Sequence, residues 1–141
     1  AEAIINPSTG KTIAKIKAAS LAQVPQPTEA AAIAFQAWSK NTPKDRSTML
    51  LALADRIDAN AETFAELESL NCGKPYLAAL NDEMPAVADV FRYFAGVARY
   101  MHGSAAGEYL SGQTNMIRRD PVCDSAALAT WTYRPMMASW K

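Results

Sequence analysis

Leu80, Met84, Val87, Phe91, Phe94, Ala98 and Met101 follow one another at alternating steps of four and three. That spacing gathers apolar side chains along one face of an α-helix, and so long a stripe is stable only when another element covers it. The feature commits the chain to a packed helical layer. Pro85 interrupts the pattern. Proline lacks a backbone donor and crowds the preceding turn, so it is tolerated only in the first turn. The regular helix is therefore expected to begin near Asp82 or Glu83.

The flanking segments supply the other elements. Ile4-Ile5 and residues 12–16 flank Asn6-Pro7-Ser8-Thr9-Gly10. This reads as a hairpin, in which Asn and Pro open the turn and Gly10 takes the positive φ that re-enters the second strand. The Ala-rich residues 28–39, with Ile33, Phe35 and Trp38, read as a helix. Pro25 and Pro27 push its start to Thr28, leaving Glu29 near the positive end of the helix dipole. Thr42 and Pro43 mark a second start, as cap and first helical residue, before Leu50, Leu53, Ala54 and Ile57 recur at helical spacing. Asn60 is expected to cap a further helix through Phe64, Leu67 and Leu70. Asn71-Cys72-Gly73-Lys74-Pro75 ends it, because Gly supplies a left-handed residue and Pro blocks continuation.

After Gly103 the pattern changes. Glu108-Tyr109-Leu110 and Asn115-Met116-Ile117-Arg118-Arg119 flank Ser111-Gly112-Gln113-Thr114 as a second hairpin. Residues 126–129 read as a buried strand running into a turn at Trp131 and a final helix. Residues 136–141 form an apolar, helix-compatible run with no Gly, Pro or Asn after it. That is the pattern expected of a chain cut short.

Charge is balanced, with 14 Lys and Arg against 14 Asp and Glu. The one basic cluster, Arg118-Arg119, is followed at once by Asp120, so the sequence argues against nucleic-acid binding. Half the residues are hydrophobic and a fifth charged, which excludes disorder. A chain of this size fits one domain burying roughly 68–70% of its unfolded surface. The first residues, Ala-Glu-Ala-Ile-Ile-Asn-Pro, lack the charged region of a signal peptide, and no apolar run is long enough to span a membrane. Cys72 and Cys123 are too few for a disulfide scaffold and read as reduced thiols of a cytoplasmic protein.

Few residues suggest chemistry on their own. The glycines are spaced wrongly for either phosphate-cradling fingerprint. His102 has no spaced partner for a metal site and reads as a helix-end cation. Cys72 has only Lys74 as an electropositive neighbour and is explained by helix termination; Cys123 sits beside Asp124, which disfavours a thiolate. Asp82-Glu83 opens the long helix, either as dipole stabilisation or as a selector for a cationic substrate. Phe91, Phe94 and Met101 read as core.

Several stretches taken together resemble the N-terminal part of the aldehyde dehydrogenase superfamily. They are Asn6-Pro7-Ser8-Thr9-Gly10, Ala34-Phe35-Gln36-Ala37-Trp38, Arg46 with the following helix, residues 66–75, Phe91-Arg92-Tyr93-Phe94-Ala95-Gly96 and Arg118-Arg119-Asp120-Pro121. Asn71–Pro75 and Asn81-Asp82-Glu83-Met84-Pro85 are most similar to the gamma-aminobutyraldehyde dehydrogenase branch, close to betaine-aldehyde enzymes. The resemblance implies an α/β fold. Residues 1–106 would form the hairpin and helical layer of the cofactor-binding domain, 107–121 an oligomerisation hairpin, and 122–141 the start of a Rossmann-like strand–turn–helix.

It also implies oxidation of an aldehyde to its acid with NAD, in a homo-oligomeric dimer or tetramer. Leu128, Ala129 and Trp131 would fall at the cofactor, and Glu83, Tyr133, Met137 and Trp140 at the substrate. Two departures stand out. Thr132 replaces the Asn that donates to the developing oxyanion, a donor whose loss costs about 2.7–4 kcal/mol of transition-state stabilisation. Arg134 stands in place of a Pro. Pro25 and Pro27 also interrupt a stretch that is helical in relatives, and Asp124 falls in a strand. The family's catalytic Cys and Glu would follow Lys141, so no catalytic residue is assigned here. The chain alone is expected to be inactive and to bind NAD poorly. The alternative is a stand-alone, non-catalytic remnant or oligomerisation module.

Overall fold

The computed structural model describes residues 1–121 and 125–141; Cys123 and Asp124 lie outside the described residues. Strands β1 (Glu2–Ile5) and β2 (Thr12–Ile16) form an antiparallel hairpin with Glu2 opposite Ile16 and a register shift between Ile4 and Ile5. Gly10 takes a φ of +67° and its N–H donates to the Asn6 carbonyl at 2.8 Å, so the turn forms as its residues dictate.

Helix α1 (Pro25–Trp38) begins three residues before the expected Thr28. Both prolines fall in the first turn, where a backbone donor has no intrahelical acceptor and a fixed φ is an asset. The expected interruption is therefore no interruption. Helix α2 (Pro43–Ala59) starts on a reciprocal cap. Thr42 Oγ1 accepts from the Asp45 N–H at 3.2 Å, and Asp45 Oδ2 accepts from the Thr42 N–H at 3.0 Å. Helix α3 (Ala61–Cys72) follows without a break. Asn60 does not cap it; its side-chain amide instead donates back to the Arg56 carbonyl at 2.8 Å. With one residue between the helices, the amide reaches the orphan acceptors of α2 more readily than the donors of α3.

Gly73, at φ +74°, ends α3 as expected. A short turn α4 (Tyr76–Ala78) and a π-helical turn (Ala79–Glu83) then lead into α5 (Met84–Tyr100), one or two residues later than expected. The π turn widens the spiral where the Pro85 ring would crowd an α ladder. Helices α2 and α5 pack together through Ala54, Ile57, Val87 and Ala88, joined by Phe91. A second cluster of Ala65, Ala79 and Met84 lies between α3 and the π turn. Arg92 on α5 ties to Asp58 at 2.6 Å and Asp55 at 3.0 Å on α2.

Strands β3 (Ala105–Leu110) and β4 (Gln113–Met116) form a second antiparallel hairpin. Its turn is two residues, not four, because Gly112 at φ +78° reverses the chain by itself and frees Gln113 to pair with Leu110. Residues 126–129 are exposed and carry no regular structure, against the expected buried strand. A strand exists only through its neighbours' hydrogen bonds, and among the described residues none lies beside it. The chain ends with α6 (Arg134–Ser139), whose Met136 packs on the α2–α5 cluster.

Candidate functional site

The corner after α3 and the turn before α6 meet. Gly73 is needed there twice over, for its positive φ and because a Cβ would approach Pro7 Cγ to 2.9 Å. The corner places Lys74 against the π turn, where its Nζ pairs with Glu83 Oε2. Both side chains are withdrawn from solvent, Lys74 to 12% and Glu83 to 1% exposure. Burial of a lone carboxylate is prohibitive, so the Lys74 charge is what makes Glu83 tolerable inside. Glu83 Oε1 has no hydrogen-bond partner among the described residues. It borders a cavity of about 120 Å³ also lined by Lys74, Ala78, Asp82, Tyr133 and Met136. Lys74 Nζ lies 3.3 Å from the centre of the Tyr133 ring, a cation–π contact.

Tyr133 has a φ of +53°, alone in that region among the described non-glycine residues. Such a conformation persists only when its surroundings over-determine it. Thr130 Oγ1 donates to the Thr132 carbonyl at 2.8 Å, and Arg134 Nε donates to the Trp131 carbonyl at 3.0 Å. The Arg134 guanidinium also stacks on the Trp131 ring, 3.6 Å from its centre. With the Asn71 amide oriented oxygen toward Arg134, Nη2 donates to it at 3.1 Å and Nη1 donates as well. Trp131 and Arg134 border a second, largely apolar cavity of about 440 Å³ between the first hairpin and α3.

Of the residues expected at a site, Glu83 and Tyr133 are thus brought together. Met136, the neighbour of the expected Met137, lines their cavity; Met137 is half-buried and Trp140 exposed. Leu128 is 85% exposed and Ala129 is exposed beside it. Thr132 is exposed. Cys72 Sγ donates to the Glu68 carbonyl at 3.1 Å, and burial pushes its thiol up, with Glu68 adding to the effect. That is the setting of an inert cysteine. His102 follows the end of α5 and packs edge-on to Tyr100, 4.4 Å between ring centres. No group of three His, Cys, Asp or Glu among the described residues is arranged to hold a metal. Lys74 and Arg134 were not legible as site residues, because a contact nine residues apart or across the fold has no periodic signature.

Residues 2–141 match the aldehyde dehydrogenase family. The chain belongs to the aldehyde dehydrogenase family. It is 34% identical to an aldehyde dehydrogenase of Alternaria alternata over 98% of its own length and 28% of the relative's. Its fold matches that of the aldehyde dehydrogenase KauB from Pseudomonas aeruginosa with a TM-score of 0.93 at 28% identity, covering 99% of this chain and 28% of that one. It also matches a double mutant of betaine aldehyde dehydrogenase from Staphylococcus aureus in complex with NAD+, with a TM-score of 0.90 at 28% identity and the same coverages. The chain thus spans little more than a quarter of the length of these relatives. Its α/β fold is that of the N-terminal part of aldehyde dehydrogenase structures.

NAD is used within the family, as the complexed relative illustrates. Leu128, Ala129 and Trp131 are exposed among the described residues of the chain. No helix among the described residues is long and apolar enough to cross a membrane.

Proposed function

We propose that these residues serve an NAD-dependent aldehyde dehydrogenase that oxidises an aldehyde to its acid. In this reading 1–106 supply the outer helical layer and 107–121 the hairpin that joins subunits into a homo-oligomer. Residues 122–141 then open the cofactor domain, with Leu128, Ala129 and Trp131 facing the cofactor. The observation that carries the reading is a family match over nearly every residue. The 141 residues alone supply neither nucleophile nor base, and on their own they are inactive. The test is aldehyde-dependent growth of the NADH absorbance band: expected from the intact protein, absent from the isolated chain.

The substrate proposed is an aldehyde carrying an amino group, such as gamma-aminobutyraldehyde. Asp82 and Glu83 bring two carboxylates to the small cavity that Tyr133 and Met136 share, and Lys74 balances only one of them. A residual negative charge beside an unpartnered Oε1 favours a cationic group. Asp82→Asn is the clean test, since Asp82 is exposed. The expected result is a raised KM for the aminoaldehyde and an unchanged KM for an uncharged aldehyde of equal length; equal effects on both would reject the aminoaldehyde assignment.

A further inference from the structure

The turn at Trp131–Tyr133 is held from two sides by cations. Lys74, fixed by its pairing with Glu83, covers the Tyr133 ring at 3.3 Å. Arg134 covers the Trp131 ring at 3.6 Å, donates from Nε to the carbonyl of the same residue at 3.0 Å, and reaches the Asn71 side chain with its outer nitrogens. Asn71 and Lys74 bracket the Gly73 corner at the end of α3. The corner thus holds Tyr133 through Lys74 and, through Asn71, the Arg134 that covers Trp131, in a turn whose backbone is otherwise unfavourable at Tyr133. From these contacts we propose that Arg134 and Lys74 are positioning residues, which lock this turn to the end of α3 and so fix where Thr132 is presented.

The chemistry of the two cations differs in a way that can be tested. Arg134 makes a flat stack, a directed Nε donor and a forked contact at once, which only a guanidinium supplies. Lys74 acts as a point charge between a carboxylate and a ring. Arg134→Lys would keep the charge and lose the lock, whereas a purely electrostatic role would survive that change. The clamp also gives the Arg that stands in place of a Pro a definite task. Proline fixes the φ of the position after Tyr133; here side-chain contacts hold the turn instead.

The significance of the lock for catalysis rests on the reading that this turn faces the substrate. The experiment keeps the two apart by following the turn directly. In the intact protein labelled with 5-fluorotryptophan, the Trp131 resonance is assigned with Trp131→Phe and followed in Arg134→Lys and Lys74→Met. The expected result is that Arg134→Lys moves the resonance toward the free-indole position and raises its quenching by acrylamide at least twofold, with Trp38 and Trp140 unchanged. Lys74→Met is expected to shift it by a smaller amount. An unmoved Trp131 signal in a folded Arg134→Lys protein would overturn the clamp. If the turn signal moves and kcat for aldehyde oxidation also falls, with KM for NAD unchanged, clamp and turn assignment stand together. If the signal moves while kcat holds, the clamp stands and the placement of the turn at the substrate fails.

Discussion

Thr42 and Asp45 exchange hydrogen bonds at the start of α2, and the Thr42 side chain and backbone, in that order, hold the Asp45 carboxyl below its ordinary value of 3.8. A carboxylate whose folded pKa is depressed adds stability that is present above the unfolded value and lost as pH falls through the folded one. Thr42→Ala is expected to lower unfolding stability at pH 7 by about 1 kcal/mol, read by urea titration. The Asp45→Asn protein should differ from the parent at neutral pH and converge with it below pH 3.8. Cys72 gives the opposite sign, since burial raises its thiol. At pH 7 its alkylation by iodoacetamide should be slower than that of an unstructured cysteine peptide, and Cys72→Ala should leave aldehyde oxidation by the intact protein unaltered. These residues were legible because a cap and a helix stop are local. Glu83 was legible as a charge at a helix start and, through the resemblance, as a substrate-side carboxylate. That it is buried and neutralised by Lys74 depends on a corner and a π turn meeting in space.

The α2–α5 pair and the π turn before it carry what core there is. Met84 is fully buried between α3 and the π turn, so Met84→Ala should cost about 2–5 kcal/mol, measured by denaturant unfolding. The stripe that made α5 predictable is only partly a core stripe. Met84 and Val87 are buried, whereas Phe94 and Met101 stand 47% and 59% exposed. Periodicity marks the face that wants cover and is silent on how much cover arrives. Gly103 is a tighter constraint than its sequence setting suggests, since a Cβ there would run into the backbone carbonyl of Ile117. Gly103→Ala should therefore displace the second hairpin from the end of α5, visible as faster amide exchange across residues 105–116. The starts of α5 and α1 were misplaced for one reason. Proline forbids one hydrogen bond, and a helix can absorb that in its first turn or by a wider turn.

The molecule as a whole is open. A compact monomer of 15.2 kDa would present about 7,100 Å² to solvent and its unfolded chain about 22,000 Å², whereas this chain presents 10,889 Å². It buries about half of its unfolded surface, short of the expectation for one domain. Leu21, Leu77, Tyr100, Tyr109 and Leu128 are all at least 66% exposed. This supports the proposal that the residues work within a larger aldehyde dehydrogenase. Taken alone, the 141 residues are expected to bind a hydrophobic dye such as anilinonaphthalene sulfonate at pH 7, and the intact protein far less. Sequence by itself determined both hairpins, the main helices and the Thr42 cap, because each is written in local spacing or in turn chemistry, and its motifs together carried the family resemblance. Only the tertiary structure decided that residues 126–129 stay without strand partners, that Glu83 is buried against Lys74, and that Arg134 grips Trp131. Each depends on which distant groups come close enough to share a hydrogen bond or a charge, and local spacing carries no record of that.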